Sequence, residues 1–410
     1  MILNKQKYLQ LKEINLYIFG VSFFTNFNIS KICLGFMFLF TFLDLVVFKE
    51  KMELGDNRIR NFIIFFILGG AIWNFCADFN YKAARAFLKI NRYFIIVFYI
   101  YNLLKYKKTI FRNFLACLAL SYLFLFYEGV RFFIENKNNS YYRFGSFEGV
   151  MDVAVLTPVV ASFASGMIIQ KNDIKKKIVG LLFLSISCFL IMVTQTRASL
   201  LAFGVSIFVM LLWNRKFKIL IAGISIFAVA VALFFQMPES ERFKNNTFNA
   251  SVTKENMSNG LRVEMWKNAI WRFKQHPIMG SGTKQDSKLF KEYVENMPEN
   301  TDTEKIYKDT FKNGFDDAHS LYLNALTDNG LFVLFQIILI FLMVPYILIK
   351  NKNFIYTISL IGGFTSYMFF GVAWPLWRHG WDPMLLWTLI GITICSYKFI
   401  DKKGMDILEE

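Results

Sequence analysis

Apolar residues in this chain come in long runs, nearly free of charge, separated by short polar connections. The runs are about 17–24 residues long, the length a helix rising about 1.5 Å per residue needs to cross roughly 30 Å of hydrocarbon. Backbone N–H and C=O groups find no water in lipid, so each run is expected to be helical. Twelve spans are read from the pattern: 14–29, 31–48, 61–78, 86–104, 113–134, 150–170, 178–195, 198–213, 217–236, 325–349, 354–374 and 382–400. The first is the weakest, diluted by Asn26 and Asn28, and no internal repeat is evident. The predicted fold class is all-α, a polytopic transmembrane helix bundle of about twelve spans.

One stretch departs from this pattern. Residues 237–318 are the one long polar segment, which divides the chain into helices 1–9 (1–236), a loop (237–318), and helices 10–12 with a tail (319–410). Within the loop, Leu261, Met265, Trp266, Ala269 and Phe273 recur at three- and four-residue spacing, predicting a helix over 262–275. Pro277, Gly280 and Gly282 end it, and 284–295 suggests a second short helix. An amphipathic pair lying on the membrane face is the plain expectation.

Charge then orients the bundle. The formal net charge of +16 invites a nucleic-acid reading, but the basic residues form no single block. They cluster in 49–60, 105–112, 171–177, 215–218, 350–353 and near both termini, on alternate connections. The positive-inside rule places those connections and both termini in the cytoplasm and the large loop outside, with membrane lipids rather than nucleic acid as the surroundings. Lys5, Lys7 and Lys12 precede a first apolar run with no small-residue cleavage pattern, which favours a retained span over a removed signal peptide. Trp374, Trp377 and Trp381 fall where an interfacial belt is expected. The five cysteines lie in apolar spans without metal-ligand spacing, so buried free thiols are expected.

Few polar residues are placed to do chemistry. Arg197 lies in Thr194-Gln-Thr-Arg-Ala-Ser199, at an outer turn where the charge rule disfavours arginine. A guanidinium beside hydrocarbon is expensive, so a functional role competes with a snorkelling anchor. Arg262 opens the loop helix and on composition alone reads as a solvated surface residue. His319, one of three histidines, follows Asp316 and Asp317 where the loop meets the tenth span. A carboxylate beside an imidazole can orient it or raise its basicity, and the same sequence also suits an acidic helix start. Lys82, Arg85, Lys89 and Arg92 form a basic stripe on the outer side, suited to anionic headgroups or to a diphosphate. Arg378-His379 with Asp382 is the main rival to His319. Asp44 and Glu128 are costly inside spans, and Glu128 can pair with Arg131 one turn away. No Gly-rich phosphate loop, metal constellation or nucleophile elbow is present, and nothing calls for a cofactor.

Thr196-Arg197, Arg262 with Trp266, His276-Pro277-x-x-Gly280-x-Gly282, and His319-Ser320 followed by Gly330 occur in an order that resembles the O-antigen ligase family of polytopic membrane glycosyltransferases, which includes polysaccharide polymerases. The likeness covers roughly 194–332. It implies metal-independent, inverting transfer of a glycan from undecaprenyl diphosphate to a lipid A-core sugar hydroxyl, on the periplasmic face of the bacterial inner membrane. By that resemblance Arg197 and Arg262 hold the diphosphate and His319 activates the acceptor, supported by Asp317, Trp266, Gly280, Gly282 and Gly330. Thr196 stands where Ser is commoner, and Val333 where Gly is frequent, which is expected to loosen helix packing there. Two alternatives remain open at this point: a polymerase using the same donor, and a transporter of lipid-linked sugars. The transporter would need matched Gly/Pro-interrupted spans, which the sequence does not display.

Overall fold

In a computed structural model of the protein, the described residues are 5–78, 81–136, 143–145, 149–170, 174–216, 218, 257–281, 286–312, 317–350, 356–377 and 380–399. Among them there is no strand. The chain runs through α1 (Lys5–Ser22), α2 (Phe27–Val46), α3 (Asn57–Asp78), α4 (Tyr81–Asn91), a 3₁₀ turn (Arg92–Phe94), α5 (Ile95–Leu104), α6 (Thr109–Asn136), α7 (Val150–Ile169), α8 (Ile174–Thr194) and α9 (Arg197–Trp213). The polar insertion contributes α10 (Met257–Gln275), α11 (Asp286–Glu295) and α12 (Asp302–Phe311). The bundle is completed by α13 (Leu321–Lys350), α14 (Thr357–Phe370) and α15 (Trp381–Phe399).

This is a multi-pass membrane protein. Seven helical stretches among the described residues are long and apolar enough to cross a membrane: α2, α3, α4 with α5, α6, α7, α8 and α13. Shorter apolar helices lie in α9, α14 and α15. Ile72, Leu120, Ile134, Met192, Leu201 and Leu342 are exposed on the outside of the bundle, apolar surface that suits lipid and not water. Inside, α5 is buried on nearly every face, as expected of a helix at the centre of a membrane bundle.

Each expected span overlaps a helix except 217–236, which apart from residue 218 lies outside the described residues; α1 is not among the helices long and apolar enough to cross a membrane. The first is shifted: α1 begins at Lys5 and ends at Ser22, and Asn26 caps α2 by accepting from the N–H groups of Asn28 and Ile29. The span expected at 86–104 is broken. Its first part, α4, is amphipathic, burying Ala83 and Phe87 while Lys82, Arg85 and Lys89 stay outside, and only α5 is apolar throughout. α13 is also interrupted, at Gly330. Among its described residues the insertion holds three helices where a pair was expected, and together they bury Met265, Phe290, Val294, Met297, Tyr307 and Phe311. Thr301 and Glu304 close a capping box that starts the unanticipated third helix.

Two further expectations are corrected. The tryptophans do not form a lipid-facing belt: Trp377 and Trp381 are buried, Trp381 Nε1 donates to Phe23 O at 3.0 Å, and Trp374 Nε1 donates to Asp382 Oδ2 at 3.2 Å. The Trp374 and Trp381 indole N–H groups find acceptors inside the bundle, so these rings pack inward. All five cysteines are free as expected, yet Cys76 is exposed. Val333, for its part, is 1% exposed and belongs to the main core.

The two ends of the bundle differ in electrostatics. At one, lysines pair with glutamates: Lys5 with Glu50 at 3.2 Å, Lys105 with Glu53 at 2.8 Å and Lys107 with Glu13 at 3.5 Å. Further in, Lys12 is 1% exposed and its Nζ lies 2.6 Å from Asp44 Oδ2. Tyr8 donates to Asp44 Oδ1 at 2.7 Å, and Tyr99 donates to the Lys12 carbonyl at 2.8 Å, tying α1, α2 and α5 together. The acidic residues in the spans are thus partnered, and Glu128 also meets Arg131 at 3.6 Å. At the opposite end, the α1–α2 turn meets Trp381, and Leu321 N–H donates to Gly371 O at 2.8 Å.

Removing one partner of a buried ion pair strands the other charge, which destabilises by about 3–5 kcal/mol, whereas replacing both with apolar residues is often neutral. Asp44→Ala is therefore expected to lower stability by about that amount, and Lys12→Met with Asp44→Leu to recover most of it. Denaturation of the detergent-solubilised protein measures both; a double variant no more stable than Asp44→Ala would contradict the assignment.

Candidate functional site

The site is built around the short segment that leads into α13. His319 adopts a left-handed conformation (φ 49), unusual for a residue with a Cβ. Asp317 stabilises it, with Oδ1 accepting the His319 backbone N–H at 2.7 Å and Asn324 Nδ2 at 2.8 Å. Asn324 Oδ1 in turn accepts the Ala318 N–H at 2.9 Å, so one side chain on α13 holds both ends of the bend. The His319 imidazole is partly exposed, its Nδ1 is 3.6 Å from Asp317 Oδ1, and its ring meets the edge of Trp374 at 5.5 Å. From the insertion, Trp266 Nε1 donates to Ala318 O at 3.1 Å. Trp266 thus fixes the backbone beside His319.

The turn after α10 is locked into the interruption of α13. Helix α10 stops at Gln275, and the next residues turn through Gly280 (φ 76) to meet Gly330 (φ 70). A Cβ on Gly330 would strike Ile278 O and lie 2.7 Å from Gly280 N; one on Gly280 would lie 2.6 Å from Asn329 N. Backbone contact this close admits only glycine. Breaking α13 frees backbone groups, and the turn takes them up: Ser281 N–H donates to Thr327 O at 2.7 Å and Leu331 N–H donates to Pro277 O at 3.3 Å. Trp73 Nε1, from α3, donates to Asn329 O at 3.0 Å. The His276-Pro277 motif is a turn, as read from sequence, and its role is architectural. Gly282 lies outside the described residues.

Arginines gather at the same end of the bundle. Arg197 begins α9 directly after the α8–α9 turn. Arg262, one helical turn before Trp266 on α10, has its pKa held below the usual arginine range by burial and by the nearby positive charges of Arg197 and Arg143. Arg143 is displaced in the same direction by burial and by Arg197. It donates from Nε to Thr194 O at 3.0 Å and from Nη2 to Thr196 Oγ1 at 2.8 Å, so it grips the turn that presents Arg197. Sequence reasoning missed Arg143, which sits in a short connection with no motif around it. Its significance comes from a turn some fifty positions later.

The basic stripe is a separate feature. Lys82, Arg85 and Lys89 are exposed on α4, and Arg92 turns back on its neighbour, Nη2 being 3.3 Å from Tyr93 Oη. The charges that displace Arg262 are those of Arg197 and Arg143. Arg378 and His379 lie outside the described residues, while Asp382 is buried beneath Trp374. Among the described residues no three His, Cys, Asp or Glu side chains are grouped to hold a metal.

Residues 180–338 match the family model described as O-antigen ligase. Over that stretch the chain is similar to the O-antigen ligase family. The matched stretch runs from α8 into α13 and includes Arg197, Arg262, Trp266, His319 and Gly330; Arg143 and the α4 stripe lie outside it. No curated protein matches the chain. Members of the O-antigen ligase family are membrane enzymes of the glycosyltransferase-like ligase and polymerase kind, acting on lipid-linked glycans.

Gly330→Ala is expected to destabilise by about 2 kcal/mol or more, because it adds left-handed strain to a backbone collision. Gly330→Ala should also release α10, seen as faster protease cleavage in 257–281 of the reconstituted protein. Unchanged cleavage would mean the two glycines do not hold the turn.

Proposed function

We propose that this protein is an O-antigen ligase-type glycosyltransferase of the bacterial inner membrane. It moves a glycan from undecaprenyl diphosphate to a sugar hydroxyl of lipid A-core in lipopolysaccharide synthesis. In this reading the chain crosses the membrane twelve times, both termini are cytoplasmic, and the 237–318 loop is the catalytic, periplasmic segment. The observation that carries the proposal is the gathering of Arg197 and Arg262 at the end of the bundle where His319 is pinned by Asp317 and Trp266.

The chemistry follows from those groups. The acceptor hydroxyl oxygen attacks the anomeric carbon and forms the new glycosidic bond. The bond from that carbon to the diphosphate oxygen breaks, its electron pair leaving with undecaprenyl diphosphate, and configuration inverts. The hydroxyl proton passes to His319, and Asp317 stabilises the imidazolium as it forms, much as a carboxylate orients a catalytic imidazole elsewhere. With Nδ1 turned towards Asp317, Nε2 is the nitrogen that accepts the proton. The arginines neutralise charge developing on the leaving diphosphate, in geometry suited to phosphate oxygens.

The exposed stripe of Lys82, Arg85 and Lys89 favours a second reading. A polymerase holds two lipid diphosphates at once, and a second basic surface suits the second of them. The transporter reading loses ground because the break in α13 is filled by the 277–281 turn.

Reconstituted protein supplied with glycan-diphosphate-undecaprenol and separate acceptors distinguishes the readings. Product on lipid A-core is expected; longer lipid-linked chains would indicate a polymerase, and flipping without transfer a transporter. His319→Ala is expected to reduce transfer by about 10²–10⁴-fold. Arg262→Ala and Arg197→Ala should each reduce it by about 10²–10³-fold. All three variants should insert normally. Full activity in His319→Ala would remove the imidazole from the mechanism.

A further inference from the structure

We propose that Arg143 is a third guanidinium of the phosphate site, and that it makes the enzyme select a lipid diphosphate over a lipid monophosphate. The inference rests on the reading of Arg197 and Arg262 given under Proposed function and extends it to a residue outside the matched family stretch.

Arg143 is delivered to this end of the bundle by its neighbour. Phe144 is buried, its ring lies 5.5 Å from that of Phe132 on α6, and its N–H donates to Val193 O at 3.1 Å. That anchor sets the 143–145 segment against the last turn of α8. The Arg143 guanidinium then bonds Thr194 O through Nε and Thr196 Oγ1 through Nη2. Of the five N–H donors of an arginine, these bonds engage two nitrogens and leave Nη1 for another partner. The side chain is therefore fixed along one edge, as a preorganised phosphate ligand should be.

A purely structural clamp on the 194–196 turn would not require a cation. Asn or Gln also donates hydrogen bonds, without adding charge beside Arg197. Yet a full positive charge is here, beside that of Arg197, and both act on Arg262. Three like charges so placed repel, and the repulsion is relieved when a polyanion sits among them. Two arginines suffice for the oxygens of one phosphate group. A third suits the second phosphate of a diphosphate, which is also the group on which leaving-group charge develops.

The test uses the full-length protein in nanodiscs, with undecaprenyl diphosphate and undecaprenyl monophosphate as the two probes, neither carrying a glycan. Tryptophan fluorescence reads binding to the native protein and to Arg143→Gln, Arg143→Lys, Arg197→Ala and Arg262→Ala. Arg143→Gln is expected to weaken the diphosphate about tenfold or more, the loss for one charged hydrogen bond, and the monophosphate by no more than about twofold. Equal loss on both probes, or loss on neither, would overturn the proposal and leave Arg143 as a tether for the turn. If Arg143→Gln does not fold, Arg143→Lys decides. Lysine keeps the charge but cannot hold Thr194, Thr196 and a phosphate together, so the diphosphate preference should fall at least about threefold. An unchanged preference would refute the proposal. Should Arg197→Ala and Arg262→Ala also bind the diphosphate normally, the phosphate site itself, and not only the role of Arg143, would be wrong.

Discussion

The contact between the 276–281 turn and the interrupted helix α13 is backbone against backbone, with glycine on both sides. Nothing with a side chain fits at Gly330, where Ile278 O already occupies the space a Cβ would need. A helix broken inside a bundle would ordinarily leave N–H and C=O groups without partners, a heavy penalty where water is scarce. Here the insertion supplies those partners through Ser281 and Pro277, and Trp73 supplies one from α3. The interruption and the insertion therefore stabilise each other. Helix α10 is held firmly against the bundle, and with it Arg262 and Trp266.

Helix α10 links the two halves of the candidate site. Arg262 and Trp266 are one turn apart and share a face, because residues four apart on a helix are neighbours. Arg262 looks towards the guanidinium group set by the α8–α9 turn, and Trp266 reaches the carbonyl of Ala318 beside the imidazole. The spacing between cations and imidazole is thus set by one rigid rod. The left-handed backbone of His319 belongs to the same logic. It is strained, and it persists because Asp317, Asn324 and Trp266 each hold part of the bend.

Much of this was legible in the chain, for different reasons. Long apolar runs have a length fixed by the bilayer, so helices such as α6 and α8 could be located from hydropathy alone. Gly280, Gly330, Trp266 and His319 stood out as sparse polar or conformationally special residues in an ordered motif. What stayed hidden depended on contacts between distant segments. The α4–α5 break is invisible to hydropathy because Ile95–Leu104 extends the apolar run; only the amphipathic face of α4 sets it apart. The inward tryptophans read as a belt because composition cannot tell an indole facing lipid from one bonded to Phe23 or Asp382. Arg143 carried no signal of its own: its meaning lies in Thr194 and Thr196, which fold puts beside it.

Gathering arginines while the lysines at the other end pair with glutamates follows from what each end must do. An ion pair such as Lys5–Glu50 satisfies itself and needs no ligand. The arginine group differs: burial and neighbouring like charge displace Arg143 and Arg262 towards the neutral form. Such a group is stable only because packing elsewhere holds its backbone in place, through Phe144 on one side and Gly330 on the other. Substrate binding is then favoured twice, by attraction to the anion and by relief of repulsion already present. A leaving group that gains charge as its bond breaks benefits most at the transition state, which is where binding energy accelerates a reaction.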